Sequence, residues 1–177
     1  MGSRSLLVER AQGTLTRLRA SPASPRVVLG GKALASLVLG VVSMLVVFGA
    51  SAVLLGARWG NPLAVLCLIV AVTLVATAIT WLIATLATTE EQATAYTAIV
   101  AVGLALLGGS FFPLSLAPEA LQRLALLTPN GQALQGFTDL TINAGQAVYA
   151  EHLAILAGFT LVVGTLAFLR SHRLVGT

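Results

Sequence analysis

Four stretches of this chain carry no Asp, Glu, Lys or Arg. They are residues 33–57, 62–87, 93–112 and 153–169. Each reaches or approaches the ~20 residues that a helix needs to cross a bilayer core. Lipid offers no hydrogen-bond partner, so such a run must satisfy its own backbone groups as a helix. The last run is at the short end of the range. The composition agrees: 57% of the 177 residues are hydrophobic and 9% are charged, against about 25% charged in a soluble domain. Too few polar groups are present to cover a globular surface. The expected fold is an all-α integral membrane domain spanning residues 1–177, with about four transmembrane helices.

The positive charge is unevenly placed. Arg4, Arg10, Arg17, Arg19, Arg26 and Lys32 precede the first run, and Arg170 and Arg173 follow the last. With four spans these ends share a side, as does the cation-free loop 88–92. The other side holds only Arg58 and Arg123. Eight cations against two place both termini in the cytoplasm of a multi-pass plasma-membrane protein. Trp59, Phe111 and Phe112 then fall near the outer interface, which aromatic rings favour.

Residues 1–32 form a cytoplasmic segment. As a helix it sets Leu7, Ala11, Thr14, Leu15 and Leu18 on one side, with Arg10 and Arg17 largely on others. Two uses fit this pattern: a helix lying on the anionic inner leaflet, or a docking helix for a partner. Gly13, a mid-helix residue that costs about 1 kcal/mol relative to Ala, favours the second by permitting close approach. At 88–92, "TTEEQ" offers a capping box in two registers, Thr88 with Glu91 and Thr89 with Gln92. A solvated cap accounts for Glu90 and Glu91, and a second docking point is the sharper alternative.

Thr73, Thr77 and Thr80 are spaced i, i+4, i+7 and share a face of the second span. They read either as a seam of small residues packed on another helix or as the lining of a mildly polar pathway. The segment 113–150 is punctuated by Pro113, Pro118 and Pro129. It offers a short helix over 119–127 and another over 130–140, with Asn130 as its expected N-cap. These helices either dip back into the outer half of the membrane or lie on its surface.

Chemistry-bearing sets are scarce. "GGKA" at 30–33 lacks the glycine six residues before the lysine and the following Ser/Thr of a phosphate-binding loop. His152 has only Glu151 beside it, His172 is remote, and no metal-ligand spacing appears. The lone Cys67 reads as a buried packing residue. The spans offer no charged residue for an ion-coupled site. No catalytic, metal or cofactor residues are expected, and no nucleic-acid role.

The order of parts resembles the ABC-2-type transporter permeases. "VERAQGTLTRLRASPASPRVVLGGK" (8–32) is similar to their E-R-x-x-G-T-L-x-R-L-x-x-[ST]-P segment. "TEEQA" (89–93) looks like their cytoplasmic loop. "GGSFFPLSLAPEALQRLALLTPNGQALQGF" (108–137) resembles their "FFP" helix end and two short outer helices. The resemblance implies the membrane half of an ATP-driven exporter, not itself an enzyme, with ATP handled by a separate or fused ATPase. It implies that Glu9, Arg10, Gly13, Thr14 and Leu15 lie in a coupling helix docked on that ATPase. It implies a homo- or heterodimer of permease subunits in the lipid membrane, with a re-entrant outer hairpin around Phe111, Phe112, Pro113 and Pro129. Such permeases usually have six spans, two of them before the coupling helix, so this chain is expected to be their C-terminal part. A four-helix scaffold or a channel without an ATPase is the alternative.

Overall fold

The computed structural model describes residues 25–142 and 146–175. Among them are six α-helices and no strand: α1 (Pro25–Leu55), α2 (Pro62–Leu86), α3 (Glu90–Leu107), α4 (Glu119–Leu126), α5 (Pro129–Thr141) and α6 (Gln146–Val175), with a 3-10 turn at Leu114–Leu116. Three stretches are long and apolar enough to cross a membrane: Gly31–Leu55, Pro62–Leu86 and Tyr149–Ser171. The expected N-terminal amphipathic helix lies outside the described residues, and with it Glu9, Arg10, Gly13, Thr14 and Leu15.

The helix ends have local causes. Beyond α1 the backbone turns left-handed at Gly56 and Gly60, φ 65° and 69°, a conformation that glycine adopts without a Cβ clash. Trp59 closes this connection. Its Nε1 donates to Ser51 Oγ at 3.0 Å, Ser51 Oγ donates to the Phe48 carbonyl at 2.7 Å, and its ring meets Phe48 with centroids 4.4 Å apart. Asn61 caps α2 by accepting from the Leu63 N–H at 2.9 Å, with Pro62 in the first turn.

At the next connection the structure selects one of the two capping registers. Thr89 is the N-cap of α3 and accepts from the Gln92 N–H at 3.2 Å. Gln92 Oε1 reaches back to the N–H and the hydroxyl of Thr88, at 3.1 and 2.7 Å. Glu90 and Glu91 occupy the first turn, where they suit the positive end of the helix.

The third helix departs from the expected 93–112. It begins three residues earlier because of the Thr89 cap, and it ends at Leu107. Gly109 has φ 79°, and a Cβ there would overlap the Leu114 side chain. At about 1.5 Å per residue, its 18 residues rise about 27 Å, and the first three are Glu90, Glu91 and Gln92. It is not among the three candidate spans. The last run departs in the opposite sense: in α6 the stretch long and apolar enough to cross a membrane is Tyr149–Ser171 rather than 153–169, and it takes in Glu151, exposed, and His152, buried with partners on α5.

α2 is the central element. Its buried face carries Val65, Leu68, Ile69, Thr73 and Val75, which join Leu140 of α5 and Leu156 of α6 in one core. α1 lies against α2 through Gly40, Val41, Met44 and Phe48. A Cβ on Gly40 would stand 3.2 Å from the Thr73 methyl, so glycine sets a close approach of the kind common between membrane helices. Cys67 is exposed, contrary to its expected burial. It precedes Leu68 on the helix and points off the packed face.

Candidate functional site

α4 and α5 form a hairpin whose turn, Leu127–Thr128, is built without a loop. The N-cap of α5 is Thr128, one position before a first-turn proline, and not Asn130 as expected. Thr128 Oγ1 accepts from the Gly131 N–H at 3.0 Å and donates to the Ala125 carbonyl at 2.7 Å. One hydroxyl thus serves the end of α4 and the start of α5. Asn130 is freed for a longer-range task. Its Nδ2 donates to the Leu104 carbonyl at 3.2 Å and to Ser110 Oγ at 2.8 Å, tying the start of α5 to the end of α3. Phe111 is exposed, Phe112 is half-buried, and Pro113 opens the 3-10 turn leading to α4.

α5 lies alongside α2 and α6, not free on a surface. Gly131, Gln132, Ala133, Gly136 and Leu140 are buried. Gly136 faces Leu68, six residues into α2, which is about 9 Å along that helix. Phe137 stacks on Phe48 of α1 with centroids 4.6 Å apart.

Next to the hairpin turn is a cleft of about 270 Å³ between α2 and α3. Val75, Ile79, Val100 and Leu104 form much of its wall, and Pro129, Asn130 and Leu156 border it. Its polar members are Thr80, Thr97 and Asn130. The two hydroxyls donate to carbonyls one turn back, Ala76 at 2.8 Å and Ala93 at 2.7 Å. No charged group lines the cleft, so its walls suit an apolar chain better than an ion.

The structure divides the expected threonine stripe. Thr80 lines the cleft, whereas Thr73 is buried against Gly40 and donates to the Ile69 and Val70 carbonyls at 2.8 and 2.9 Å. Thr77 donates to the Thr73 carbonyl at 2.7 Å and is not in the cleft wall. One end of the stripe therefore packs on α1 and the other borders the cleft.

One constellation was missed in the sequence. His152 does not stand with Glu151 alone. Its Nδ1 lies 2.6 Å from Gln132 Oε1 and its Nε2 lies 2.9 Å from Asp139 Oδ2, both on α5. Gln132 Nε2 donates in turn to the Leu126 carbonyl at the end of α4. His152 and Gln132 are buried, and the Asp139 side chain is 14% exposed. The available signal was the spacing of Gln132 and Asp139, seven residues apart and so on one helical face. Their partner lies on another helix, beyond the reach of a local pattern. Among the described residues no group of three or more His, Cys, Asp or Glu side chains is placed to hold a metal ion.

The family model for the ABC-2 type transporter matches residues 1–142. The linearmycin resistance permease protein LnrN of Bacillus subtilis (strain 168) is 26% identical over 147 residues. That alignment takes in 82% of this chain but 38% of the relative, so the chain spans well under half of that permease's length. No solved structure matches. A family match over most of the chain, together with three helices long and apolar enough to cross a bilayer, shows a multi-pass membrane protein of the transporter-permease kind, and the chain belongs to the ABC-2 type transporter family.

Proposed function

We propose that this chain supplies the pathway-forming part of a permease subunit in an ATP-driven exporter. The observation that carries the proposal is the family match over residues 1–142, which includes the basic amphipathic segment. ATP binding belongs to a partner, because "GGKA" lacks the spacing of a phosphate-binding loop. Glu9, Arg10, Gly13, Thr14 and Leu15 dock on that ATPase, with Glu90 and Glu91 as a second contact on the same side of the membrane. A second permease subunit completes the assembly. The cargo is apolar or amphipathic. The cleft wall carries no charge, and the relative named for linearmycin resistance supports an efflux role. The hairpin α4–α5 is a re-entrant outer element, with Phe111, Phe112 and Pro113 leading into it and Pro129 at its tip.

Docking has a direct test in the complete permease expressed with its ATPase. Gly13→Trp should cut ATPase co-purification or uncouple hydrolysis from transport, with membrane insertion intact. Glu9→Lys should act the same way, by about 1–3 kcal/mol if the contact is desolvated. On a merely lipid-bound helix, Glu9→Lys would instead tighten attachment to an anionic leaflet by about 1 kcal/mol. Full partner binding and transport in both variants would falsify the docking role.

Orientation is tested separately. With α3, about 27 Å long, taken as a fourth crossing, eight cations lie on one side and two on the other, and single cysteines near Arg4 and Arg173 should be shielded from an impermeant reagent outside the cell. A cysteine at Gln122 should react. Labelling of the termini from outside would reverse the topology.

A further inference from the structure

We infer that Asp139, His152 and Gln132 form a proton-binding latch that holds α5, the second helix of the outer hairpin, against the start of α6. Its operation follows from donor and acceptor counting and does not depend on which cargo the protein carries. Gln132 Nε2 donates to the Leu126 carbonyl, which fixes the amide orientation and turns Oε1 towards His152 Nδ1 at 2.6 Å. The opposite flip would set two oxygens against each other at Leu126. His152 Nδ1 must therefore donate. His152 Nε2 faces Asp139 Oδ2 at 2.9 Å, and that contact is a hydrogen bond only if a proton sits between them. A neutral imidazole has one N–H, already committed to Gln132, so the pair must hold one further proton. When it is released to water, the Nε2 lone pair faces a carboxylate oxygen and the contact turns repulsive. The latch is closed with the proton bound and open without it.

The surroundings isolate this pair. α2 packs against both helices and carries no charged residue, and its Cys67 is exposed. α5 has Asp139 as its sole charged side chain. On α6 the neighbouring titratable groups are Tyr149, half-buried, and Glu151, exposed. Among the described residues Asp139 has its ion-pair contact with His152, and the Glu119–Arg123 pair on α4 is almost fully solvent-exposed. The geometry also provides a reporter. Phe137, two residues before Asp139, stacks on Phe48, and Phe48 packs on Trp59, so displacement of α5 must change the surroundings of Trp59.

The test uses the complete permease in lipid nanodiscs. Trp81→Phe leaves Trp59 as this chain's tryptophan. On going from about pH 5 to about pH 9, its emission should move to longer wavelength. Asp139→Asn is the discriminating variant. Its amide can donate to Nε2 of a neutral ring, so the network stays complete without the extra proton. The low-pH emission should then persist throughout, and the transition should disappear. His152→Ala should show the high-pH emission at every pH, while Glu151→Gln and Tyr149→Phe should leave the transition in place. Trp59 emission unchanged across the range overturns the latch. So does a transition that survives Asp139→Asn or is lost with Glu151→Gln.

Discussion

Gly131→Ala is expected to open the hairpin and destabilise the protein by about 3 kcal/mol, among the larger costs of a single added methyl group. The residue sits directly over the carbonyl of Ala125, where a Cβ would overlap backbone rather than a movable side chain. Relief requires α5 to lift from the end of α4. That movement breaks the Gly131 N–H bond to Thr128 Oγ1 and strains the Asn130 bonds to Leu104 and Ser110. The effect should appear as a fall in the thermal midpoint of the purified protein of roughly 6–12 °C. Gly103→Ala is the control. Gly103 lies inside α3 with nothing within 4 Å of an added Cβ, so alanine there should be neutral or stabilising by up to about 1 kcal/mol. Equal midpoints for the two variants would show that the hairpin turn tolerates displacement.

The second large effect concerns the contact between α5 and α2. Leu68 is fully buried, and both of its methyl groups lie against Gly136. In a soluble core Leu→Ala costs about 2–5 kcal/mol through lost transfer energy and the residual cavity. Within a bilayer much of the transfer part cancels, since lipid is as apolar as the core. What remains is mainly the cavity and lost dispersion, so Leu68→Ala should cost about 2 kcal/mol.

The pair is diagnostic because Gly136→Ala has the complementary defect. Its Cβ would stand 3.2 Å from both Leu68 methyls and 3.3 Å from His152 Cβ, overpacking worth about 1 kcal/mol. In the double variant the added methyl partly refills the space left by Leu68. The cycle should therefore be non-additive by about 1 kcal/mol, with the double variant more stable than the sum of the singles. Denaturant titration in mixed micelles measures all four corners. Strict additivity would mean that Leu68 and Gly136 do not share this contact.

Much of the architecture was legible because it depends on local chemistry. The lack of charge over long runs requires helices in lipid, and Thr-x-x-Gln at 89–92 announces the start of α3. Where boundary expectations failed, the cause was a rule applied without tertiary context. Counting charge cut the last span at 153, although His152 is buried against hydrogen-bond partners on α5 and the helix runs on through the exposed Glu151. Hydropathy alone carried the third run to Phe112, past the Gly108–Gly109 turn that ends the helix at Leu107.

The amino-acid sequence by itself determined the class of protein, the helical elements, the cap of α3 and the family, since these follow from solvent preference and from groups within a turn of one another. Only the tertiary structure decided which faces meet. Leu66 is 42% exposed and Leu68 is fully buried on the same helix, yet both are leucines, because a lipid-facing and a helix-facing surface are equally apolar. Asn130 with Leu104, and His152 with Gln132 and Asp139, are pairings 13 to 26 residues apart. Such contacts depend on how α3, α5 and α6 are placed around α2, and helical periodicity reports one helix at a time.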